Sequence, residues 1–168
     1  MSRVPRFAAA AIAAITLAAS LAAVAAAPRG AAVAYPEGYR EWTHLKSMAI
    51  VSQEHPLFEA FGGIHHVYVN RKGLAAARAG GPYPDGSVLV FDLLAAERAD
   101  GAYTEGARRF IGVMAKDRRL HAATGGWGFE AFEGDARDRR VVKDAAAQCF
   151  HCHQSRAAND FVFSSYRR

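Results

Sequence analysis

Pro82-Tyr83-Pro84-Asp85-Gly86-Ser87-Val88-Leu89-Val90-Phe91-Asp92-Leu93-Leu94 is the stretch from which the fold is read. Proline fixes φ, and Asp85-Gly86 supplies the left-handed position that a tight turn requires. Ser87 to Leu94 then runs on as β-branched and large apolar residues, the strongest strand in the chain. Upstream, Ile64-His65-His66-Val67-Tyr68-Val69 reads as a second strand, set off by Gly62-Gly63. Leu74 to Ala79 is a short alanine-rich helix stopped by Gly80-Gly81-Pro82. Downstream, Phe110 to Lys116 and Gly128 to Glu133 are further strands, while Trp42 to Val51 admits both helix and strand. Arg139 to Cys152 reads as a helix with an amphipathic start at Val141, Val142 and Ala145. Strands with glycine turns followed by a helix give an α+β fold with an antiparallel sheet. A four-helix bundle fits poorly, because no four long periodic segments exist.

The first stretch of the 168 residues has a different character. Arg3 and Arg6 precede the apolar, alanine-rich run from Phe7 to Ala27, and small residues crowd on to Ala34. That is the layout of a secretory signal, with cleavage expected between 27 and 34. An uncleaved membrane anchor is the competing reading. The expected mature chain, 35–168, is a single domain with no membrane segment, and export points to the periplasm. Residues 1–34 carry Arg3, Arg6 and Arg29, so the whole-chain net charge of +5 falls to +2 in the mature part. A near-balanced domain without clustered Lys and Arg gives no footprint for nucleic acid.

The two cysteines of the chain occur together, in Cys149-Phe150-His151-Cys152-His153. A disulfide closing so short a loop would restrict the unfolded chain very little. The spacing is Cys-x-x-Cys-His, the signature of c-type haem attachment. On a helix, positions i, i+3 and i+4 share one face. Both sulfurs then reach the vinyl groups of one covalent haem c, and His153 lies beneath the iron as its proximal ligand. A thioredoxin-like pair would sit at a helix start near the N-terminus of a βαβ unit. A zinc site would need a second ligand pair less crowded than His151 and His153.

With these residues in view, the chain resembles the cytochrome P-460 family of small periplasmic c-type haem proteins. The resemblance is carried by Tyr39-Arg40-Glu41-Trp42, Val67-Tyr68-Val69-Asn70, Pro84-Asp85-Gly86-Ser87-Val88-Leu89-Val90 and Gly125-Gly126-Trp127-Gly128-Phe129, then the haem motif and Asp160-Phe161-Val162-Phe163. It implies a five-stranded antiparallel sheet flanked by helices, a homodimer, and five-coordinate iron with an open distal side. Members that oxidise hydroxylamine are similar to one another in a lysine bonded to the porphyrin just after the Asp-Gly-x-Val strand. Phe91 stands at that position here. The chain thereby resembles the lysine-lacking beta-type cytochromes c prime, and Phe61 and Phe91 match the two residues that cap the iron.

The resemblance also makes His65, where oxidising relatives have an arginine, a candidate distal hydrogen-bond donor. Glu130 is a candidate distal proton relay. Met48 and Met114 are the methionines that would ligate iron in an electron carrier, though methionine on a strand is usually core filler. His121 and His151 have no assigned partner. Three functions follow: a haem protein binding small gaseous ligands such as nitric oxide, an oxidoreductase acting on hydroxylamine or nitric oxide, and an electron-transfer cytochrome. The last two require a redox partner cytochrome. Should another lysine replace the missing one, Lys46, Lys72, Lys116 and Lys143 are the choices in the mature chain.

Overall fold

The computed structural model describes residues 32–167; the expected signal segment lies almost wholly outside the described residues. Five strands form one antiparallel sheet in sequential order. They are β1 (Thr43–Ile50), β2 (Gly63–Val69), β3 (Val88–Ala99), β4 (Ala102–Lys116) and β5 (Trp127–Glu133). Short helices α1 (Phe58–Phe61) and α2 (Leu74–Ala79) sit on the connections. The expected α+β fold and antiparallel sheet are therefore present, and the ambiguous stretch from Trp42 to Val51 is an edge strand. No helix among the described residues is long and apolar enough to cross a membrane.

The turn that opens β3 forms as its residues demand. Gly86 has φ 84°, and the Ser87 N–H and hydroxyl both donate to the Pro84 carbonyl, at 3.0 and 2.7 Å. β3 and β4 are much longer than the apolar runs that announced them. They meet at Ala99 and Ala102 across Asp100-Gly101, with φ of 51° and 79°. Two successive positive φ values make the hairpin turn whose twist matches that of the strands, and Asp-Gly is among its preferred sequences.

The register divides the sheet into two faces, because directly paired residues point to the same side. One face carries the rows His65–Leu93–Phe110, Val67–Phe91–Gly112–Ala131 and Val69–Leu89–Met114–Phe129. The larger core cluster lies here, with Leu45, Trp127, Phe150 and Val162. The reverse face holds Tyr39, Val90, Ile111, Val113 and Phe132. Buried among them is Asp92, fully enclosed and bonded by the Tyr39 hydroxyl at 2.7 Å, Arg108 Nε at 2.7 Å and Arg40 Nη2 at 3.1 Å. Burial alone would raise this carboxyl, but the hydrogen bonds from Arg108, Tyr39 and Arg40 outweigh it and hold it below the usual range.

The C-terminal helix starts later than its apolar pattern predicts. Residues 139–142 continue the sheet edge instead: Arg140 bridges to Phe132, and the Val141 N–H donates to the Ala131 carbonyl at 3.0 Å. β-branched Val141 and Val142 satisfy the free edge of β5 better than they would fill a helix. Helical structure begins at Asp144, whose carboxylate accepts the Ala146 and Ala147 N–H groups at 2.9 and 3.1 Å. A π segment (Ala146–Phe150), a single α turn α3 (His151–His153) and a 3₁₀ segment (Gln154–Asn159) kinked at Arg156 follow.

Candidate haem site

Cys149 and Cys152 stand where the π segment passes into α3, and neither is in a disulfide. The π turn is held by the His151 N–H on the Ala146 carbonyl, five residues back. Phe150 anchors this turn in the core, against Phe129 and Phe161 at centroid separations of 6.2 and 5.2 Å, and Cys149 packs against the same cluster. Cys152 is exposed and Cys149 half-buried. Burial, with the nearby carboxylates of Glu130 and Asp144, pushes the Cys149 thiol up to about 11. A redox-active Cys-x-x-Cys pair needs the reverse, a thiol shifted down towards neutrality. Among the described residues no group of three or more His, Cys, Asp and Glu side chains is arranged to hold a metal ion.

His153 has the orientation that iron ligation asks of an imidazole. Its Nδ1 lies 2.7 Å from the Phe161 carbonyl oxygen. A carbonyl only accepts, so Nδ1 carries the proton and the Nε2 lone pair is left for a metal. Phe129 and Phe163 hold the ring on either side, each with its centroid 5.0 Å away. Burial lowers the His153 pKa, opposed by the Phe161 hydrogen bond, and this favours the neutral, ligating form. The carbonyl reaches His153 because Asp160 and Phe161 both take positive φ and turn the chain back. Asp160 is fixed there by Lys116 Nζ at 2.7 Å and the Tyr83 N–H at 2.7 Å. The Asp160 to Phe163 stretch thus includes a supporting residue that motif spacing could not reveal.

Phe129 belongs to the same sheet face as Phe91, so His153 and the phenyl-lined part of the sheet share one side of the molecule. Phe61, carried by α1, packs on Phe91 at 5.7 Å and on Phe110 at 6.2 Å, and Phe91 stacks on Phe110 at 5.8 Å. Phe61 and Phe91 are therefore brought together, and Phe110 is a third ring that the sequence reading did not single out. Its signal was the register: Phe110 and Phe91 flank Gly112 on one face. A Cβ at Gly112 would lie 3.5 Å from the Phe110 ring and 3.5 Å from the Phe91 Cβ, with the Phe91 ring at 3.8 Å, so no close contact within the protein demands a glycine there.

His65 joins the same cluster, its ring 4.3 Å from Phe91 and only 5 % exposed. Its Nδ1 is buried and makes no hydrogen bond, unlike the other buried side-chain polar atoms among the described residues. Such an atom normally has a partner. Burial, followed by the charges of His66 and Lys46, lowers the His65 pKa to about 4, so the ring is neutral at physiological pH.

Glu130 is placed differently. Its Oε1 accepts the Ala131 and Val142 N–H groups and its Oε2 accepts Arg140 Nη1 at 2.8 Å, so it pins residues 140–142 to the sheet edge. None of these contacts reaches the phenyl cluster. Met48 is 48 % exposed on the edge strand, whereas Met114 packs in the core beside Phe129. His151 is exposed and His121 lies against Gly128. Of the four lysines, Lys116 is committed to Asp160 and the Trp127 ring, and Lys72 lies over Gly86. Lys46, opposite Val67, is in the transverse row of Phe91.

A five-stranded antiparallel sheet bearing an aromatic face, with an oriented imidazole beside two free cysteines, defines the architecture of a small haem protein. The donor set fits that group: two free cysteines and the His153 imidazole, whose Nδ1 is taken up by the Phe161 carbonyl so that Nε2 is left for iron. The chain belongs to the Cytochrome P460 family, whose match spans residues 36–164. No individual curated protein matches it significantly.

Proposed function

We propose that the domain, residues 35–168 after removal of an N-terminal signal, is a periplasmic protein with one covalently attached haem c that binds small neutral gases such as nitric oxide. In this reading Cys149 and Cys152 hold the porphyrin and His153 Nε2 is the proximal iron ligand. The observation that carries the reading is Phe91, at the centre of the aromatic face with Phe61 and Phe110 around it. A phenyl ring cannot bond to the porphyrin edge as the family's lysine does, and this aligns the chain with the beta-type cytochromes c prime.

The haem, when bound, supplies an iron with one open coordination position. The residues decide what can reach it. Phe61, Phe91 and Phe110 offer no hydrogen bonds, so water and anions lose their solvation on entering, whereas a neutral diatomic loses little. His65 Nδ1 is the unpaired polar atom beside those rings, and we assign it as the hydrogen-bonding partner of the bound gas or of a water in its place. His153 holds its proton at Nδ1, against Phe161. A homodimer, and a partner cytochrome that resets the iron's oxidation state, belong to the same proposal.

The experiment is an optical spectrum of the purified protein, ferric, ferrous and under carbon monoxide, with a tryptic map of the haem peptide. An ordinary five-coordinate c-type spectrum, carbon monoxide binding and a haem peptide cross-linked only through Cys149 and Cys152 are expected. A lysine cross-link, with Lys46 the first to inspect, or brisk hydroxylamine oxidation would return the protein to the oxidoreductases. A six-coordinate low-spin spectrum would make it an electron carrier.

A further inference from the structure

α1 carries Phe61, and the segment to which α1 belongs is weakly held. Residues 51–57 are all exposed, and within α1 Glu59 and Ala60 are exposed while Phe58 and Phe61 are half-buried. The hydrogen bonds between Ser52 and Gly62 are local: His55 to Ser52, Phe58 to His55, Phe61 to Leu57, Gly62 to Phe58, with the Ser52 and His55 side chains accepting from the Glu54 and Leu57 N–H groups. Among the described residues, one side chain from elsewhere bonds this segment. Arg109 Nη1 donates to the Gly62 carbonyl at 2.5 Å and Nη2 to the Glu59 carbonyl at 2.9 Å.

Those carbonyls are at the C-terminal end of α1, which a four-residue helix leaves without partners of its own. The guanidinium fork spans two acceptors at once, which an ammonium cannot do in a fixed plane. Arg109 also precedes Phe110 on β4, so its backbone is fixed to the strand that supplies the ring beneath Phe61. Behind α1 a half-open cleft of about 240 Å³ is lined by Ile50, Phe58, Ala95, Ala96 and Tyr103 as well as Arg109. The segment therefore has space to move into.

We propose that Arg109 is a positioning residue that latches α1 and so sets how far Phe61 closes over the aromatic face. This deepens the gas-binding reading and rests on it for its consequence, while the latch itself is a property of the protein chain. With the fork in place, Phe61 lies edge-on to Phe91 and Phe110 and the path to the face is narrow. With the fork removed, α1 keeps only its apolar contacts and opens more often.

The test compares wild-type holoprotein with Arg109→Ala, Arg109→Lys, Phe61→Ala and the double variant Arg109→Ala with Phe61→Ala. Hydrogen exchange of the Phe61 and Gly62 amides is expected to quicken on the order of tenfold in Arg109→Ala, the worth of one hydrogen bond from a charged donor. Arg109→Lys falls between, and guanidinium at tens of millimolar restores protection in Arg109→Ala where equal sodium chloride does not. Carbon monoxide association with the ferrous protein rises by a similar factor in Arg109→Ala, and adding that change to Phe61→Ala does nothing further, because Arg109 acts through Phe61. Unchanged exchange at Phe61 and Gly62, or exchange that quickens equally over the whole sheet, overturns the latch. Additive effects of Arg109→Ala and Phe61→Ala on association also overturn it. A wild-type protein that binds no carbon monoxide defeats the gas-binding reading instead and leaves the exchange result to decide the latch.

Discussion

At the scale of single residues, His65 shows how burial sets chemistry. Its ring is neutral in the folded protein down to about pH 4, because taking a charge into this apolar cluster is costly and His66 and Lys46 repel it. The unfolded chain protonates the same ring near pH 6.5. Above that value the residue contributes no pH dependence. As pH falls from 6.5 towards 4 the unfolded state binds a proton that the folded state refuses, so stability is lost across that window. His65→Gln, neutral in both states, should lose about 2 kcal/mol less than wild type between pH 7 and pH 5. Urea unfolding at the two pH values reads this directly, and equal losses would mean that His65 ionises in place. The position of His65 near a distal site was legible only through the resemblance. That its Nδ1 has no partner depends on neighbours from three strands, which no sequence pattern encodes.

At the scale of elements, the turns were the most legible parts and the edges the least. Asp85-Gly86 behaves as its residues dictate, and Asp100-Gly101 carries a hairpin signal between Ala99 and Ala102. The second is harder to read as a hairpin because its flanks, Ala96-Glu97-Arg98-Ala99 and Ala102-Tyr103-Thr104-Glu105, are small, polar and charged rather than apolar. β3 and β4 are stabilised there by each other, not by a core, so hydrophobic patterning ends several residues before the strands do. Val141 and Val142 misled in the opposite sense: their apolar spacing suits a helix, but the open edge of β5 claimed their backbone. The π segment that follows decides how the two cysteines are presented. It leaves Cys152 exposed and Cys149 half-buried, while Phe150 fastens the turn in the core. Because Phe150 and the Phe161 carbonyl hold this turn without either sulfur, Cys149→Ala with Cys152→Ala should fold yet lose the covalent bond. Denaturing mass spectrometry should find one haem on wild-type protein from a host equipped for haem attachment and bare polypeptide for the double variant. A wild-type mass with no haem would refute the attachment.

For the molecule as a whole, the sheet separates two tasks. One face is given largely to aromatic rings and small residues, with polar ties such as the Lys116–Asp160 pair and the His153–Phe161 hydrogen bond at its margin. The reverse face supplies a charged anchor at Asp92, the residue after Phe91 on the same strand. Tyr39 and Arg40 tie the carboxylate to the segment before β1, and Arg108 ties it to β4. The register of β3, and hence the side on which Phe91 emerges, is thus fixed from behind, since a slip of one residue would carry Asp92 to the aromatic face. Asp92→Asn keeps the shape but removes the charge that Arg108 and Arg40 share. Breaking such an enclosed ion pair from one side should cost about 3 kcal/mol at pH 7. Because the folded Asp92 is held below the usual carboxylate range, its contribution is fully present above the pKa of the unfolded chain. It is lost as pH falls through the folded value. Denaturant titrations of wild type and Asp92→Asn should therefore differ by that amount at pH 7 and converge in strong acid. A gap that persists at low pH would assign the loss to the geometry of the amide rather than to the charge. The register argument would then rest on Tyr39 alone.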